Sequence, residues 1–376
     1  MKKELLILCL IVLMSSCKKE NSQTLLFVGS YTEKLPGKGI KVYKFDSKTG
    51  EATLTHEVDS ITNPSFLRVS PDGTTLYSVV ESQMKNNGKI ARFTIDSDKG
   101  KLIFLDQIDC GGRNPVHIDI DSKNKYLVCS NYTDPSLSVF EISSNGKLAH
   151  SETLNFTGKS IIKGRQDEAH IHSSNFSPDD LCLFAQDLGT DNIRKFTVVK
   201  NGQNLVSLSN EELIESAPGS GLRHFTFHPN KKYAYGICEL SGKVNAYKYT
   251  NQNLEFIKEY KAYKSELEIY SSADIHISPD GKFLYATNRG PVEHSIVIFK
   301  IDNSGTLTLV GHEPTYGEHP RNFAIDPTGE FLLVANQFTN NIVFFRRNME
   351  TGKLTKLHHE LEFDAPSSLQ MRSYIN

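Results

Sequence analysis

Residues 273–311 read ADIHISPDGKFLYATNRGPVEHSIVIFKIDNSGTLTLVG. Four short runs, Ala273 to Ser278, Phe283 to Asn288, Ser295 to Ile301 and Thr306 to Gly311, read as strands a, b, c and d. Ser278-Pro279-Asp280-Gly281 lies between the first two. Proline presets φ there, and Asp-Gly tolerates the turn geometry. Ser304-Gly305 precedes the last run and reads as a hairpin loop. The unit Phe299-Lys300-Ile301, aromatic then polar then apolar, marks a strand with one buried face.

That unit recurs along the chain. Tyr43-Lys44-Phe45, Phe93-Thr94-Ile95, Phe140-Glu141-Ile142, Phe196-Thr197-Val198 and Tyr247-Lys248-Tyr249 match it, and Phe345-Arg346-Arg347 keeps only the aromatic. The leading aromatics are 50, 47, 56, 51, 52 and 46 residues apart. Ser70-Pro71-Asp72-Gly73 and Ser177-Pro178-Asp179-Asp180 repeat the first turn, and Thr49-Gly50, Asn145-Gly146 and Thr351-Gly352 repeat the second. Four-stranded units of this length fit propeller blades. The fold expected is all-β, a seven-bladed β-propeller. The absence of Trp argues against WD repeats.

The first unit lacks strand a: it opens with Leu25 to Ser30 as b, then Gly39 to Phe45 and Ala52 to Val58. Ala365 to Met371, after the last unit, resembles Asn63 to Val69, the strand a of unit two. The C-terminal segment is therefore expected to complete the first blade and close the ring, removing an open edge. The propeller spans residues 25–371.

Residues 1–17 lie outside that fold. Lys2 and Lys3 precede an apolar run from Leu5 to Met14, then Ser15-Ser16-Cys17. The run is short for a membrane span and suits a signal peptide. Small residues before a cysteine resemble a bacterial lipobox, so lipid is expected on Cys17; an ordinary secretory signal is the plainer reading. Lys18 to Thr24 reads as a tether. A cell-envelope location follows, at the periplasmic face or the outer membrane, with membrane contact only through the Cys17 anchor.

The charge totals, 42 Lys+Arg against 44 Asp+Glu for a net −2, give no general attraction to nucleic acid. Cys110, Cys129, Cys182 and Cys238 have spacings that match no CxxC metal site and read as small buried thiols. No metal or other cofactor is expected, although a strand would point His170 and His172 the same way, as ligands do.

Propeller geometry puts the starts of strands a and the ends of strands b on one face, around the channel. His172, Arg223 and Arg321 stand at equivalent a-strand starts, with Arg113, Arg165 and His170 just before such starts. Glu81, Asn131, Tyr132, Asp187, Glu239, Arg289 and Gln337 stand at b-strand ends. This polar, arginine-rich mouth suits an anionic small molecule, since Arg offers a rigid fork to carboxylate or phosphate. His117, His224 and His276 read as structural.

Arg165-Gln166, His170-Ile171-His172, Asp187-Leu188-Gly189, Gly221-Leu222-Arg223-His224, Glu239-Leu240, Asn288-Arg289-Gly290 and Pro320-Arg321-Asn322 occur in that order. Together they resemble the seven-bladed lactonase family, which contains propeller-type 6-phosphogluconolactonases and carboxymuconate cyclases. The resemblance implies hydrolysis of an anionic or sugar lactone. It implies a site of His172, Arg223, Glu239 and Arg289, with His170 as the alternative histidine. Arg321, His170, Asp187 and Gln337 are the expected substrate contacts. Histidine titrates near neutral pH and can deprotonate water. Glu239 orients that histidine or is itself the base, and an arginine meets the oxyanion. The leader is a departure, because a lactonase of phosphorylated sugars works in the cytoplasm. The competing reading is a non-catalytic envelope propeller that binds a ligand or a partner protein.

Overall fold

A computed structural model describes residues 22–32, 39–81, 86–201 and 205–375. The leader, Cys17 and residues 18–21 lie outside the described residues. The last three residues of the expected tether, Ser22 to Thr24, are already strand: Ser22 pairs with Ile375.

The described chain forms seven four-stranded antiparallel sheets. Blades two to seven each run a-b-c-d in chain order. Blade one takes strand a from the C-terminus (Pro366–Ile375), then b (Ser22–Ser30), c (Ile40–Phe45) and d (Ala52–Val58). Nine residue pairs join Pro366–Ile375 to Ser22–Ser30, from Ser22↔Ile375 to Ser30↔Pro366. The ring therefore closes as the missing strand a requires.

A blade is a twisted sheet with two apolar faces, so neither can be left to solvent. Seven apolar clusters result, one at each blade–blade interface. Between blades three and four, Val128, Leu137 and Val139 meet Ile171, Leu183 and Ala185. Between seven and one, Phe331, Leu333 and Phe344 meet Leu26, Val28 and Leu369. The core is thus a ring of interfaces around a channel rather than one central mass.

Buried tyrosines take the place of the missing tryptophan. In strands b, Tyr77, Tyr235 and Tyr285 donate to the carbonyls of Gly146, Gly305 and Gly352 in the c–d hairpin of the next blade, at 2.7, 2.9 and 2.8 Å. These hairpin glycines have φ near +80°, and a Cβ on Gly305 or Gly352 would lie 2.3 Å from the ring of Tyr233 or Phe283. Turn geometry and inter-blade packing both demand glycine there. The four cysteines are buried and free.

Candidate active site

The b-strand ends build the cavity wall. Tyr31, Glu81, Tyr132, Glu239, Arg289 and Gln337 occupy one repeat phase, the residue at or just past the end of strand b, and all six line a cavity of about 710 Å³. Side chains alternate faces along a strand, so one residue earlier the chain points into the blade. Asn131, Asn288 and Asn336 hold that earlier phase, and the last two donate to Ala262 O at 2.7 Å and Thr315 O at 3.0 Å. Asp187 shares their phase. Its Oδ2 accepts from Arg194 Nε at 2.9 Å, and its Oδ1 accepts from the backbone N–H of His170 and Gly189. Asp187 is therefore a buried wall residue and does not line the cavity, contrary to its expected role as a substrate contact. Leu188 takes the cavity phase of blade four, and it is buried.

The a-strand starts build the floor. In six blades the register between a and b slips at this point, for example between Ile171 and Ser173, Leu222 and His224, and Pro320 and Asn322. Such a bulge breaks the period of two and re-aims side chains. Two consecutive residues then face the channel in blades five and seven, as Ser65 and Phe66 do in blade two. An upper tier holds Ser65, Val116, His172, Arg223, Arg321 and Ser367, and a lower tier holds Phe66, His224 and Asn322. His117 and Asp274 join the lower tier through contacts with His224. Alternation alone could not announce the lower tier, which is why these histidines read as merely structural.

Two residues before the upper tier, Asn63, Asn114, His319 and Ala365 each precede a proline, each have φ between 40° and 59°, and each line the cavity. This left-handed conformation is uncommon outside glycine. His319 escaped the sequence reading, though its place before Pro320 in the phase of Asn63 and Asn114 was a usable signal. Its ring stacks on Phe338 at 4.0 Å, and its Nε2 accepts from Arg289 Nη1 at 3.3 Å. His170, by contrast, is spent on Tyr132. Its Nδ1 lies 3.0 Å from Tyr132 O and its ring stacks on Tyr132 at 4.2 Å, so it is absent from the cavity lining. His170 and His172 do not converge, and among the described residues no group of three His, Cys, Asp or Glu could hold a metal ion.

Glu239 is the electrostatic centre. Its Oε1 accepts from Arg165 Nη2, and its Oε2 accepts from Arg289 Nη2 at 2.6 Å. Arg223 Nε lies 2.9 Å from Oε2, yet its N–H is not aimed there, so that contact is an ion pair rather than a hydrogen bond. Burial alone would raise the Glu239 carboxyl, but Arg289, Arg223 and Arg165 outweigh it and hold it far below the usual carboxylate range. A carboxylate so held stays ionised at neutral pH. Burial, with Arg289 and Arg321 nearby, pushes Arg223 down to about 9, so it stays a cation at pH 7. The Nε atoms of Arg223 and Arg289 are buried without hydrogen-bond acceptors.

His172 is 6% exposed, and its Nδ1 is buried without a partner. Burial first, then Arg223, His224 and Arg321, lower its pKa well below the ordinary histidine value, so the ring is neutral at pH 7. Burial first, then Arg289, Arg321 and Arg223, push His319 down to about 2. Arg321 donates to Tyr31 Oη at 2.7 Å and lies over that ring at 5.1 Å. Gln337 lines the cavity, with its Oε1 unpartnered. Arg113 turns away to a paired contact with Asp134. The cavity thus joins His172, Glu239, Arg165, Arg289 and Arg321, with Arg223 in its floor, and leaves a neutral imidazole beside a cationic wall.

Residues 25–371 match the family described as lactonase, 7-bladed beta-propeller. A 6-phosphogluconolactonase of Formosa agariphila is 61% identical over 351 residues, covering 93% of this chain and 99% of the relative. A 6-phosphogluconolactonase of Bacillus subtilis is 34% identical, covering 88% and 93%. The structure of the periplasmic gluconolactonase of Pseudomonas aeruginosa superposes with a TM-score of 0.86 at 29% identity, covering 93% of this chain and 99% of that one.

Proposed function

The chain belongs to the seven-bladed β-propeller lactonase family, and on that premise we propose that its cavity hydrolyses a sugar lactone of the gluconate type. The observation that carries this reading is the neutral His172 imidazole set near the Nε–H groups of Arg223 and Arg289, which no protein acceptor satisfies. Water adds to the lactone carbonyl carbon while His172 takes its proton. The carbonyl oxygen becomes an oxyanion, and Arg223 and Arg289 offer it charge and N–H donors that need no reorganisation. The ring C–O bond then breaks, and the proton passes to the leaving ring oxygen to give a hydroxy acid. Glu239 holds the arginines in place and does not act as the base. Arg321 and Gln337 hold the polar or anionic end of the substrate.

The relatives' names favour a 6-phosphorylated substrate, and the periplasmic neighbour favours a plain one acting outside the cytoplasm. A lipid anchor on Cys17 is part of the proposal and fits the second location. The deciding experiment assays the protein without residues 1–17 on 6-phosphogluconolactone and gluconolactone, with each rate read above the spontaneous opening. His172→Ala should lower turnover about 100-fold or more if histidine is the base. Full activity in that variant removes His172 from the mechanism. A wild type that turns over neither lactone faster than the blank leaves a ligand-binding propeller.

A further inference from the structure

Beneath the cavity lies a buried hydrogen-bond chain that ends on Arg223. Asp274, on strand a of blade six, is 2% exposed. Its Oδ1 accepts from His224 Nδ1 at 2.7 Å. Its Oδ2 accepts from His276 Nε2 at 2.9 Å, from the Asn322 side-chain amide and from the Phe323 N–H at 3.2 Å. Opposing burial, which would raise it, are His276 and His224, and they hold the Asp274 carboxyl well below its ordinary value. A carboxylate only accepts, so the facing nitrogen of His224 must carry the proton.

The other nitrogen of His224 is then fixed as an acceptor. Burial, followed by Arg223, pushes His224 down to about 4, so the ring is neutral. Arg223 Nη1, which can only donate, lies 3.1 Å from His224 Nε2 and 2.6 Å from Ala273 O. Both Nη1 hydrogens are therefore taken from below. A planar guanidinium with one nitrogen fixed in this way cannot rotate about its long axis, and its Nε stays 2.9 Å from Glu239 Oε2 with the N–H directed away from that oxygen. The opposite tautomer of His224 would set an N–H against an N–H and release the fork.

We propose that Asp274 and His224 are positioning residues: Asp274 selects the His224 tautomer whose Nε2 accepts from Arg223, and so sets the guanidinium for the oxyanion. Neither residue lines the cavity. The kinetic part of the test rests on the lactonase reading, and the structural part does not.

Nitrogen-15 NMR of histidine-labelled protein, chemically intact and without residues 1–17, reads the tautomer directly. The expected form of His224 is protonated at Nδ1 and bare at Nε2. A proton on Nε2 overturns the proposal whether or not any lactone is turned over. Two amide variants supply the kinetic arm. In His224→Gln the amide oxygen stands near the place of Nε2 and can still accept from Arg223. In His224→Asn the amide stands near the place of Nδ1 and leaves Arg223 without that acceptor. His224→Asn should lose about 20-fold or more in kcat with little change in KM, and His224→Gln should recover most of it, within about 5-fold of wild type. Equal losses in the two variants, in step with their melting temperatures, would show a packing role and overturn the proposal. A wild type without lactonase activity would sink the lactonase reading alone and leave the tautomer measurement to decide.

Discussion

Replacing Glu239 by Gln keeps the side-chain shape and removes one charge. The carboxylate faces three guanidiniums, and their exposures decide what that charge contributes. The Arg165 side chain is 42% exposed, so its contact is solvent-screened and contributes at most about 1 kcal/mol. Arg223 and Arg289 are 2% and 6% exposed, so removing their counter-charge leaves two buried cations facing a neutral amide. Breaking a buried pair from one side costs about 3–5 kcal/mol. For a chain of this size that lowers the melting temperature by about 4–7 °C. The pH dependence has a definite sign. The folded carboxyl lies below its unfolded value of about 4.3, so its contribution is complete above about pH 5 and fades as pH falls below that. Scanning calorimetry of wild type and Glu239→Gln from pH 6 to 7.5 should therefore show a constant gap, which narrows in acid. Inorganic phosphate, as a substitute anion, should stabilise the variant more than the wild type. A melting temperature within about 1 °C of wild type at pH 7 would refute the premise that Glu239 anchors the arginines.

Three further outcomes are expected. His117, His172 and His224 are buried with pKa values lowered chiefly by burial, below the unfolded value of about 6.5. Their contribution is complete above that pH and is lost as pH falls, on the order of 1–2 kcal/mol each by pH 5, so the urea midpoint should drop between pH 7 and 5; a flat midpoint contradicts their neutral burial. Deleting residues 366–376 removes nine strand pairs and the buried Leu369, and exposes two sheet edges, so a loss of several kcal/mol is expected; an unchanged melting curve would mean another segment closes the ring. Cells expressing the full chain should incorporate labelled fatty acid, and Cys17→Ala should abolish the label; equal labelling rules out that anchor.

Much of the fold was legible because its signals are local. Turn chemistry at Pro71-Asp72-Gly73 and Pro279-Asp280-Gly281, and an aromatic landmark every fifty residues or so, need only the neighbouring chain to act. Ring closure was legible for a related reason: blade one lacked a strand and the C-terminus resembled one, and an open edge has few other remedies. The polar mouth could be listed from repeat phase. In blade four the repeat phase is ambiguous by one residue. Asp187 aligns with Asn131 and Asn288 rather than with Glu239, and with a side-chain period of two that single step is the difference between cavity and wall.

What only the tertiary structure decided depends on backbone irregularity and on distance across the ring. The bulges at Leu222/His224 and Pro320/Asn322 put two successive residues into the channel, and nothing in the local pattern of those strands marks a bulge. Those at Leu222/His224 and Ser272/Ile275 brought His224 and Asp274 under Arg223. Glu239 collects Arg165, Arg223 and Arg289 from segments up to 74 residues away in the chain, and that gathering rests on the curvature of the closed ring. Composition showed that the charges were present. Their pairing, and hence which groups remain unpaired at the cavity, is set by through-space distances that sequence separation does not encode.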